Sequence, residues 1–398
     1  HEVPYKENEA GRRYILPPAD AVVDPRQEGC EYPFKGLCGA AVAYKLVEAL
    51  CEANGQDVAD LDYLLENVAI ATVADVMDLT EENRILVKQG LEMLKRTSNL
   101  GLRALIQCIG LEGKKIQAYH IGFILAPCLN ASGKLDTAKR ALALLRAKTE
   151  READMLAGDL KALNESRRDM TDRVVDEAMA KVERTDIRGD KVLVIYLPDC
   201  HESLAGLVAG RVRENYYRPV FVLTDSEDGV KGSGRSIESY SMYEELTGCG
   251  DLLTKFGGHP MAAGLSLDKE NVEKFKRRLN DQCTLSEEEL TEKVVIDMEL
   301  PFAAITEQFI EELEYMEPFG KGNTKPVFAA RGVVMQHVKI IGKNKNVAKA
   351  TAIDAAGNRM EAICFHDAQE FAERCERNNG KMSITFYPGI NEFRGERQ

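Results

Sequence analysis

The sequence predicts an α/β protein that ends in a small β-barrel, and three patterns within its 398 residues support this fold class. Strand-like apolar runs alternate with apolar-periodic helices, as in a sheet flanked by helices. A stretch of about fifty residues with no proline and a single glycine predicts a long helical connection. Short β-like runs near the carboxyl end have the spacing of an oligonucleotide-binding type (OB-type) barrel.

These patterns divide the chain into four parts. Residues 1–135 alternate strand-like "ADAVVDP" and "NVAIATVADV" with helices such as "ENRILVKQGLEMLKR", which predicts a parallel sheet. Residues 136–187 form the connecting helix, either continuous or broken once. Residues 188–285 contain two buried strands, "DKVLVIYLPD" and "RPVFVLT", and predict a second α/β unit. Residues 286–398 carry the barrel.

The composition limits the function classes. The formal charge of −13 argues against a protein that holds nucleic acid by a general positive field, because phosphate binding draws on lysine and arginine. A nucleic-acid site would therefore be a local basic groove on an acidic body. No apolar run approaches the roughly 20 residues that cross a bilayer, so no membrane role is expected. The ten cysteines show no metal-ligand spacing and are expected to be free thiols in the cytoplasm.

One carboxylate stands at a place where open α/β folds put ligands. The run "NVAIATVADV" is expected to be a strand that ends at Asp75, which would put this side chain at the carboxyl edge of a parallel sheet. The alternative is an N-cap of a following helix, where aspartate is equally favoured. Asp75 alone does not make a metal site, because two-metal hydrolysis needs several oxygen and imidazole ligands.

Two glycine-bearing segments predict a phosphate site. In "VKGSGRSIESY", Ser233 and Arg235 are expected on a loop, where a hydroxyl and a guanidinium fork suit phosphate oxygens. In "KFGGHPMAAGLSL", Gly257 and Gly258 let a ligand approach the backbone and His259 supplies a donor. The alternative for the second segment is a structural turn with a capping histidine.

Five motifs occur in an order that resembles one known family. They are "NVAIATVADVMDLTEENRILVKQGLEML", "IGFILAPCLNASGKLDTAKRALALL", "KGSGRSIESY", "LLTKFGGHPMAAGLSL" and "MEPFGKGNTKPVF". Together they resemble the RecJ single-stranded-DNA exonucleases of the DHH phosphoesterase superfamily. The resemblance implies part of a DHH parallel-sheet domain, a long connecting helix, an α/β DHH-associated domain and a C-terminal OB-type barrel, in the order of the four parts above.

The resemblance also assigns roles to residues of this chain. His1 matches the last histidine of the Asp-His-His triplet, and Asp75 the late metal-binding aspartate, so both are expected to be catalytic ligands of Mn²⁺ or Mg²⁺. The expected substrate-binding residues are Asn130 and Lys134 near the scissile phosphate, Ser233 and Arg235 at the 5′ end, and Gly257, Gly258 and His259 in the Gly-Gly-His site.

Three positions depart from the family pattern. Cys128 and Lys134 stand where arginine is usual, and Asp24 replaces an asparagine. Lysine keeps the positive charge but loses two-pronged phosphate contact, whereas cysteine loses both. The grip on DNA near the active site is therefore expected to be weaker or differently placed.

The implied activity is 5′-to-3′ hydrolysis of single-stranded DNA by two metal ions, in DNA repair and recombination. The protein is expected to be a cytoplasmic monomer with helicase or single-strand-binding protein partners. The chain is expected to be truncated before His1 and after Gln398, to lack part of the metal site and to be inactive. Two alternatives are a DHH phosphodiesterase of short oligonucleotides or cyclic dinucleotides, and a non-catalytic DNA-binding scaffold.

Overall fold

A computed structural model describes most of the chain. The described residues are 3, 5–8, 11–135, 138–342, 345–365, 367–390, 392–393 and 396–397. They form two compact units, each described here by itself. The first unit comprises His1–Thr97, Lys115–Gly122 and Val294–Gln398, and the second comprises Ser98–Lys114 and Phe123–Lys293. The predicted four-part division of the chain stays a prediction.

The regular elements are numbered in chain order. The α-helices are α1 (Gly39–Ala53), α2 (Leu65–Ala74), α3 (Glu81–Leu94), α4 (Leu100–Cys108), α5 (Ala118–His120), α6 (Ala126–Leu135), α7 (Lys139–Leu145), α8 (Glu150–Arg184), α9 (Glu202–Tyr216), α10 (Met242–Thr247), α11 (Val272–Gln282), α12 (Glu307–Glu314) and α13 (Ala368–Arg377). The strands are β1 (Tyr5–Asn8), β2 (Gly11–Tyr14), β3 (Leu193–Tyr196), β4 (Val220–Ser226), β5 (Gly229–Arg235), β6 (Leu253–His259), β7 (Ala262–Leu267), β8 (Met298–Glu299), β9 (Phe328–Ile341), β10 (Val347–Ile353), β11 (Arg359–Cys364), β12 (Lys381–Phe386), β13 (Glu392–Phe393) and β14 (Glu396–Arg397). Short 3-10 segments cover Val58–Leu64, Asp186–Gly189, Gly250–Leu252, Lys269–Asn271 and Phe302–Ala304, and a π-helical turn covers Ile121–Leu125.

The run "NVAIATVADV" is helical, so the prediction of a strand there is wrong. It lies in α2, which is buried on several sides, including at Val68, Ala69 and Ile70. A helix that is buried all round is apolar all round, and its pattern cannot be told from that of a buried strand. Helix α2 is buried in part by its close packing on α3, where a Cβ on Gly90 would lie 2.2 Å from the carbonyl oxygen of Leu65.

The parallel sheet predicted for residues 1–135 is likewise absent from 11–135, all of which the structure describes. The run "ADAVVDP" has no regular structure. Pro17 and Pro18 precede it and Pro25 ends it, and proline has no N–H for a sheet ladder. The strands β1 and β2 pair with each other antiparallel. The described residues of this region are therefore mainly helical.

The long connection is a helix system with one break. Helix α7 ends at Leu145, and α8 runs for 35 residues from Glu150. Helix α8 is capped at its start: the Thr149 hydroxyl accepts from the N–H of Glu152, and the Glu152 carboxylate accepts from the N–H of Lys148. The connection is thus of the once-broken type that the sequence allows.

The second unit contains a five-stranded sheet in the order β3-β4-β5-β7-β6. The predicted strands "DKVLVIYLPD" and "RPVFVLT" are β3 and β4, which pair in parallel, while the other pairs are antiparallel. One face of β3 and β4 packs on α8 and α9 through Ile195, Val222 and Val208. The opposite face of the sheet packs on α10 and α11 through Phe221 and Phe275. The α/β fold class is confirmed in this unit.

The carboxyl-terminal strands form an antiparallel sheet in the order β11-β10-β9-β12, with β8 parallel to β9. A lysine-rich tip lies at the β9–β10 connection. Lys339 and Lys349 face each other there, and Lys349 pairs with Glu361 at 2.6 Å. Lys343 lies outside the described residues. Strand β9 lies in the run "PVFAARGVVMQHVKIIG", which agrees with the OB-type sheet predicted for this part.

Candidate nucleic-acid interface

Ser233 and Arg235 lie on strand β5 and not on the loop that the glycines of this segment predict. The reason is the close packing of the sheet core. A Cβ on Gly232 would lie 2.4 Å from Leu223 Cδ2, and one on Gly234 would lie 2.5 Å from Met242 Sδ. Glycine inside a strand marks such a close approach. Because side chains alternate along a strand, Ser233 and Arg235 point to the opposite face.

That opposite face of β5, β7 and β6 is defined here as the open face. Residues that pair directly across neighbouring strands share a face, so the register groups the open-face residues into three rows. Lys231, Ser266 and Lys255 form the first row, Ser233, Gly264 and Gly257 the second, and Arg235, Ala262 and His259 the third. The open face therefore combines basic, hydroxyl and very small side chains, which agrees with the expected local basic groove.

Helix α9 packs on the same side of the sheet as the open face, but over the neighbouring strand β4. Its apolar side covers Val220 and Val222 of β4, and its edge reaches β5 at Gly206. A Cβ on Gly206 would lie 2.7 Å from Arg235 Nη2 and 3.1 Å from Ser233 Oγ. The glycine therefore makes room for both polar side chains beside the helix.

Arg235 is a cation in a partly buried place. Its Nη1 donates to the carbonyl oxygen of Gly234 at 2.7 Å. Burial lowers the pKa of the Arg235 guanidinium, and the positive charge of Arg213 on α9 lowers it further. The buried Nε of Arg213 has no hydrogen-bond partner among the described residues. Two neighbouring guanidinium groups favour the binding of an anion between or beside them.

His259 ends β6 and is exposed. It stands in the same row as Arg235, with Ala262 between them. The preceding Gly258 has a φ of +151°, and a Cβ there would lie 2.4 Å from the carbonyl oxygen of Ala262. Gly258 is therefore required by the backbone of this hairpin. The substrate role of His259 stays a prediction.

Two glycines of the open face have no such structural requirement. A Cβ on Gly257 would meet nothing within 4 Å, and one on Gly264 would only touch the Gly232 carbonyl oxygen at 3.9 Å. Neither has a positive φ. Their lack of side chains keeps the second row bare next to Ser233.

A cavity of about 470 Å³ lies over the first two rows. The start of α9 forms one wall, with Glu202 and Ser203, and the sheet forms the floor. The helix start is already capped, because His201 Nδ1 accepts from the N–H of Ser203 at 3.3 Å. His201 thus caps the start of α9.

In the first unit, Asp75 is exposed and ends helix α2. It neither ends a strand nor caps the start of a helix, so both sequence interpretations of its local structure are wrong. The helix closes with a Schellman motif: Met77 N–H donates to Thr72 O, and Val76 N–H donates to Val73 O. A carboxylate at this end faces the negative end of the helix dipole, which a bound cation would offset.

The Schellman motif at the end of α2 strains the backbone of Val76, the residue after Asp75. Val76 has a φ of +53° and is 63% exposed. The left-handed conformation costs an L-residue about 1–2 kcal/mol, and glycine is the usual occupant. The loop that follows is held by the segment before the barrel, since Lys321 pairs with Asp78 at 3.0 Å and its carbonyl oxygen accepts from Leu79 N–H.

The remaining predicted ligands are only partly described. His1 lies outside the described residues. Asn130 is exposed on α6, and Lys134 follows four residues later on the same helix, although its side chain lies outside the described part. In the portion of the chain that the structure describes, no three His, Cys, Asp or Glu side chains gather as a metal site. Asp75 fits as one carboxylate ligand, but these residues do not form a complete metal site.

Cys128 is a core residue of α6. Asn164 Nδ2 donates to its sulfur at 3.4 Å, and Arg167 Nη2 donates to Asn164 Oδ1 at 2.8 Å. Burial raises the pKa of the Cys128 thiol to about 11, so the thiol is neutral at pH 7. Cys128 therefore brings no charge to the surface.

Comparison with known proteins agrees with these features. The RecJ OB domain model matches residues 296–398, and the DHHA1 domain model matches residues 189–285. The single-stranded-DNA-specific exonuclease RecJ of Bacillus subtilis is 37% identical over 388 residues, which are 96% of this chain and 48% of that protein. RecJ of Salmonella typhimurium is 33% identical over 404 residues, which cover 96% of this chain and 69% of that protein. The chain belongs to the RecJ family.

Solved structures support the same family. The crystal structure of RecJ in complex with Mg²⁺ from Thermus thermophilus matches with a TM-score of 0.76 and 27% identity, over 92% of this chain and 55% of that chain. The Mn²⁺ complex of RecJ from the same organism matches with a TM-score of 0.74. This RecJ-family chain spans about half the length of the Bacillus subtilis and Thermus thermophilus relatives. In the described part of the chain, no helix is both long and apolar enough to span a membrane.

Sequence reasoning missed several residues of the candidate interface in this RecJ-family chain. Lys231, Lys255 and Ser266 share the open face with the predicted residues, and Arg213 lies near Arg235. The period of two along "KGSGR" and "KFGGH" places each lysine on the same side as the known polar residues. That signal becomes visible only when the segments are treated as strands.

The strain at Val76 predicts a stabilising substitution. We expect Val76→Gly to raise the free energy of unfolding by about 1 kcal/mol, because glycine adopts a positive φ without the Cβ clash. Urea denaturation followed by circular dichroism measures the change. Val23→Gly is the control, since Val23 is similarly exposed at 59% and has no positive φ. A loss of stability in Val76→Gly equal to that in the control would contradict the strain.

The second row has two glycines without neighbours above them, so a substitution there should change DNA binding without changing stability. We expect Gly257→Val to keep the thermal midpoint within about 2 °C while lowering single-stranded-DNA affinity at least about tenfold, because its side chain fills open space above the sheet. Gly234→Ala should instead lower stability by about 1–3 kcal/mol through overpacking. Calorimetry and fluorescence anisotropy separate the two effects. Unchanged DNA affinity in a folded Gly257→Val protein would show that ligands do not use this row.

Proposed function

We propose that this chain takes part in 5′-to-3′ hydrolysis of single-stranded DNA, with its second unit holding the 5′ end of the strand. The proposal depends on one observation. The second and third rows of the open face bring Ser233, Arg235 and His259 together next to glycines, which have no side chains. The single-stranded-DNA-specific exonucleases named RecJ to which the chain is similar support the substrate class.

The proposed roles follow from the chemistry of each group. The guanidinium of Arg235 donates two parallel N–H bonds to oxygens of the terminal phosphate. The hydroxyl of Ser233 lies next to it over Gly206 and donates a further bond. His259 lies on the other side of Ala262 from Arg235. Its imidazole donates an N–H to the same phosphate or to the next one. Gly257 lets the DNA approach the open face, Gly258 shapes the hairpin that carries His259, and Asn130 and Lys134 contact the DNA backbone from α6.

The proposed cofactor is Mn²⁺ or Mg²⁺, as in the Thermus thermophilus RecJ complexes with these ions. Asp75 would be one of its ligands, and His1 another. A bound divalent ion supplies charge neutralisation for the phosphate under attack. Asp75 suits this role because its carboxylate stands at the negative end of α2, where a cation is favoured. The described residues do not by themselves complete the ligand set of this ion.

The setting of the reaction is part of the same proposal. We place it in DNA repair and recombination in the cytoplasm, with the chain acting as a monomer. Its other partners would be a helicase or a single-strand-binding protein, which supply the single strand on which the site acts.

Recognition of the 5′ end is the direct test. In EDTA, we expect the chain to bind 5′-phosphorylated single-stranded DNA more tightly than the same strand with a 5′-hydroxyl. Arg235→Ala should remove that preference, about tenfold, because a charge-assisted bond to phosphate contributes about 1.5–3 kcal/mol. Fluorescence anisotropy measures both affinities.

The control for this test is Arg278→Ala. Arg278 is an arginine of α11 that pairs with Asp251 at 3.1 Å, away from the open face. We expect it to keep the preference for the 5′-phosphate. Equal losses on both strands in Arg235→Ala, or no preference in the unsubstituted chain, would contradict the proposed end-binding role.

A further inference from the structure

The first row of the open face is not used by the end-binding site proposed above. Lys231 and Lys255 flank Ser266 in this row, on β5, β6 and the strand between them. Both lysines are exposed. Because neighbouring strands lie about 4.8 Å apart, the two lysines stand about 10 Å apart at their backbones, with the short serine side chain between them.

The cavity of about 470 Å³ lies over this row and the bare second row. Lys231, Lys255, Ser233 and Ser266 all line it, whereas Arg235 and His259 do not. Its floor includes Gly257 and Gly264, so backbone and hydroxyl groups are accessible there. A space of this size with two ammonium groups and two hydroxyls suits an anionic polar ligand larger than a phosphate ion.

The spacing of the rows matches the repeat of a nucleotide chain. At about 3.4 Å per residue along β5, the first row is about 7 Å from Ser233 and about 14 Å from Arg235. A phosphate held between Ser233 and Arg235 is therefore about 10 Å from the first row. A stacked single strand covers that distance with about three nucleotides, at 3.4 Å each.

We propose that Lys231, Ser266 and Lys255 form a second phosphate subsite, which binds an internal phosphate of the strand whose 5′ end lies at Ser233 and Arg235. This inference rests on the proposed function, because it assumes a strand on the open face. It adds a length requirement: a short strand that does not reach the first row gains nothing from the two lysines.

Lys255 carries more of this subsite than Lys231. Lys231 Nζ already pairs with Glu202 Oε2 at 2.7 Å, so a phosphate must compete with that carboxylate. Glu202 lies in the first turn of α9 and lines the same cavity. Lys255 stands on the far side of the row, on β6. Substitution of Lys255 is therefore the cleaner test.

The test compares strand lengths. Affinities for 5′-phosphorylated oligothymidylates of one and six nucleotides are measured in EDTA by fluorescence anisotropy for the six-mer and by calorimetry for the mononucleotide. We expect Lys255→Ala to lower six-mer affinity about fivefold to tenfold and to leave mononucleotide affinity within about twofold. The slope of log affinity against log salt should fall by about 0.7, the value for one lost phosphate contact on a single strand.

Two variants serve as controls. Lys255→Arg keeps the charge and should restore most of the six-mer affinity and the salt slope. Lys274→Ala removes an exposed lysine of α11, whose ammonium bonds to Asn271, and should change neither. Equal effects of Lys255→Ala and Lys274→Ala would mean that net charge alone is measured, which would overturn the subsite.

The remaining outcomes separate this inference from the proposed function. If Arg235→Ala weakens six-mer binding but Lys255→Ala does not, the second subsite is wrong and the end-binding role stands. If Lys255→Ala weakens the mononucleotide as much as the six-mer, the cavity holds the terminal nucleotide itself, and the subsite is again wrong. If the unsubstituted chain binds no six-mer, the proposed function fails, and the inference fails with it.

Discussion

The open face depends on the close packing of strand β5 within its sheet. Gly232 and Gly234 face a core in which the side chains of Leu223 and Met242 leave no room for a Cβ. The alternation of a strand then turns Lys231, Ser233 and Arg235 together to the opposite face. Any change that twisted β5 out of this register would move all three polar groups at once. The packing of the apolar core thus also fixes the direction of the polar side chains of β5.

The charges of the open face differ from the net charge of the chain. A formal charge of −13 would repel DNA over most of the surface, yet the open face gathers Lys231, Arg235 and Lys255 around glycine and serine. Arg235 is partly buried next to Arg213, which lowers its pKa and favours an anion as its partner. In the first unit, Asp75 presents the opposite case, a carboxylate at the negative end of a helix. The proposed phosphate site and the proposed cation ligand therefore differ in the sign of their charge.

The fold class could be predicted from the sequence because long-range periodicities and the motif order are robust. The strands β3 and β4 follow from local patterns, whereas those patterns left the long connection either continuous or broken once. The helix α2 was not predictable in this way, since a fully buried helix and a buried strand share an apolar run. The rows of the open face needed the pairing of β5 with β7, which are separated by β6 in sequence. Glycines at 232 and 234 signal close packing there, although their composition favours a loop.

The central claim is that a 5′-phosphorylated strand lies along the open face, with its end at Ser233 and Arg235. A crystal structure of the chain with a 5′-phosphorylated oligothymidylate tests this most directly. The account predicts terminal phosphate oxygens about 2.7–3.2 Å from the guanidinium of Arg235 and the hydroxyl of Ser233, with the strand continuing toward Lys255. A terminal phosphate bound elsewhere on the chain, with the open face empty, would contradict it.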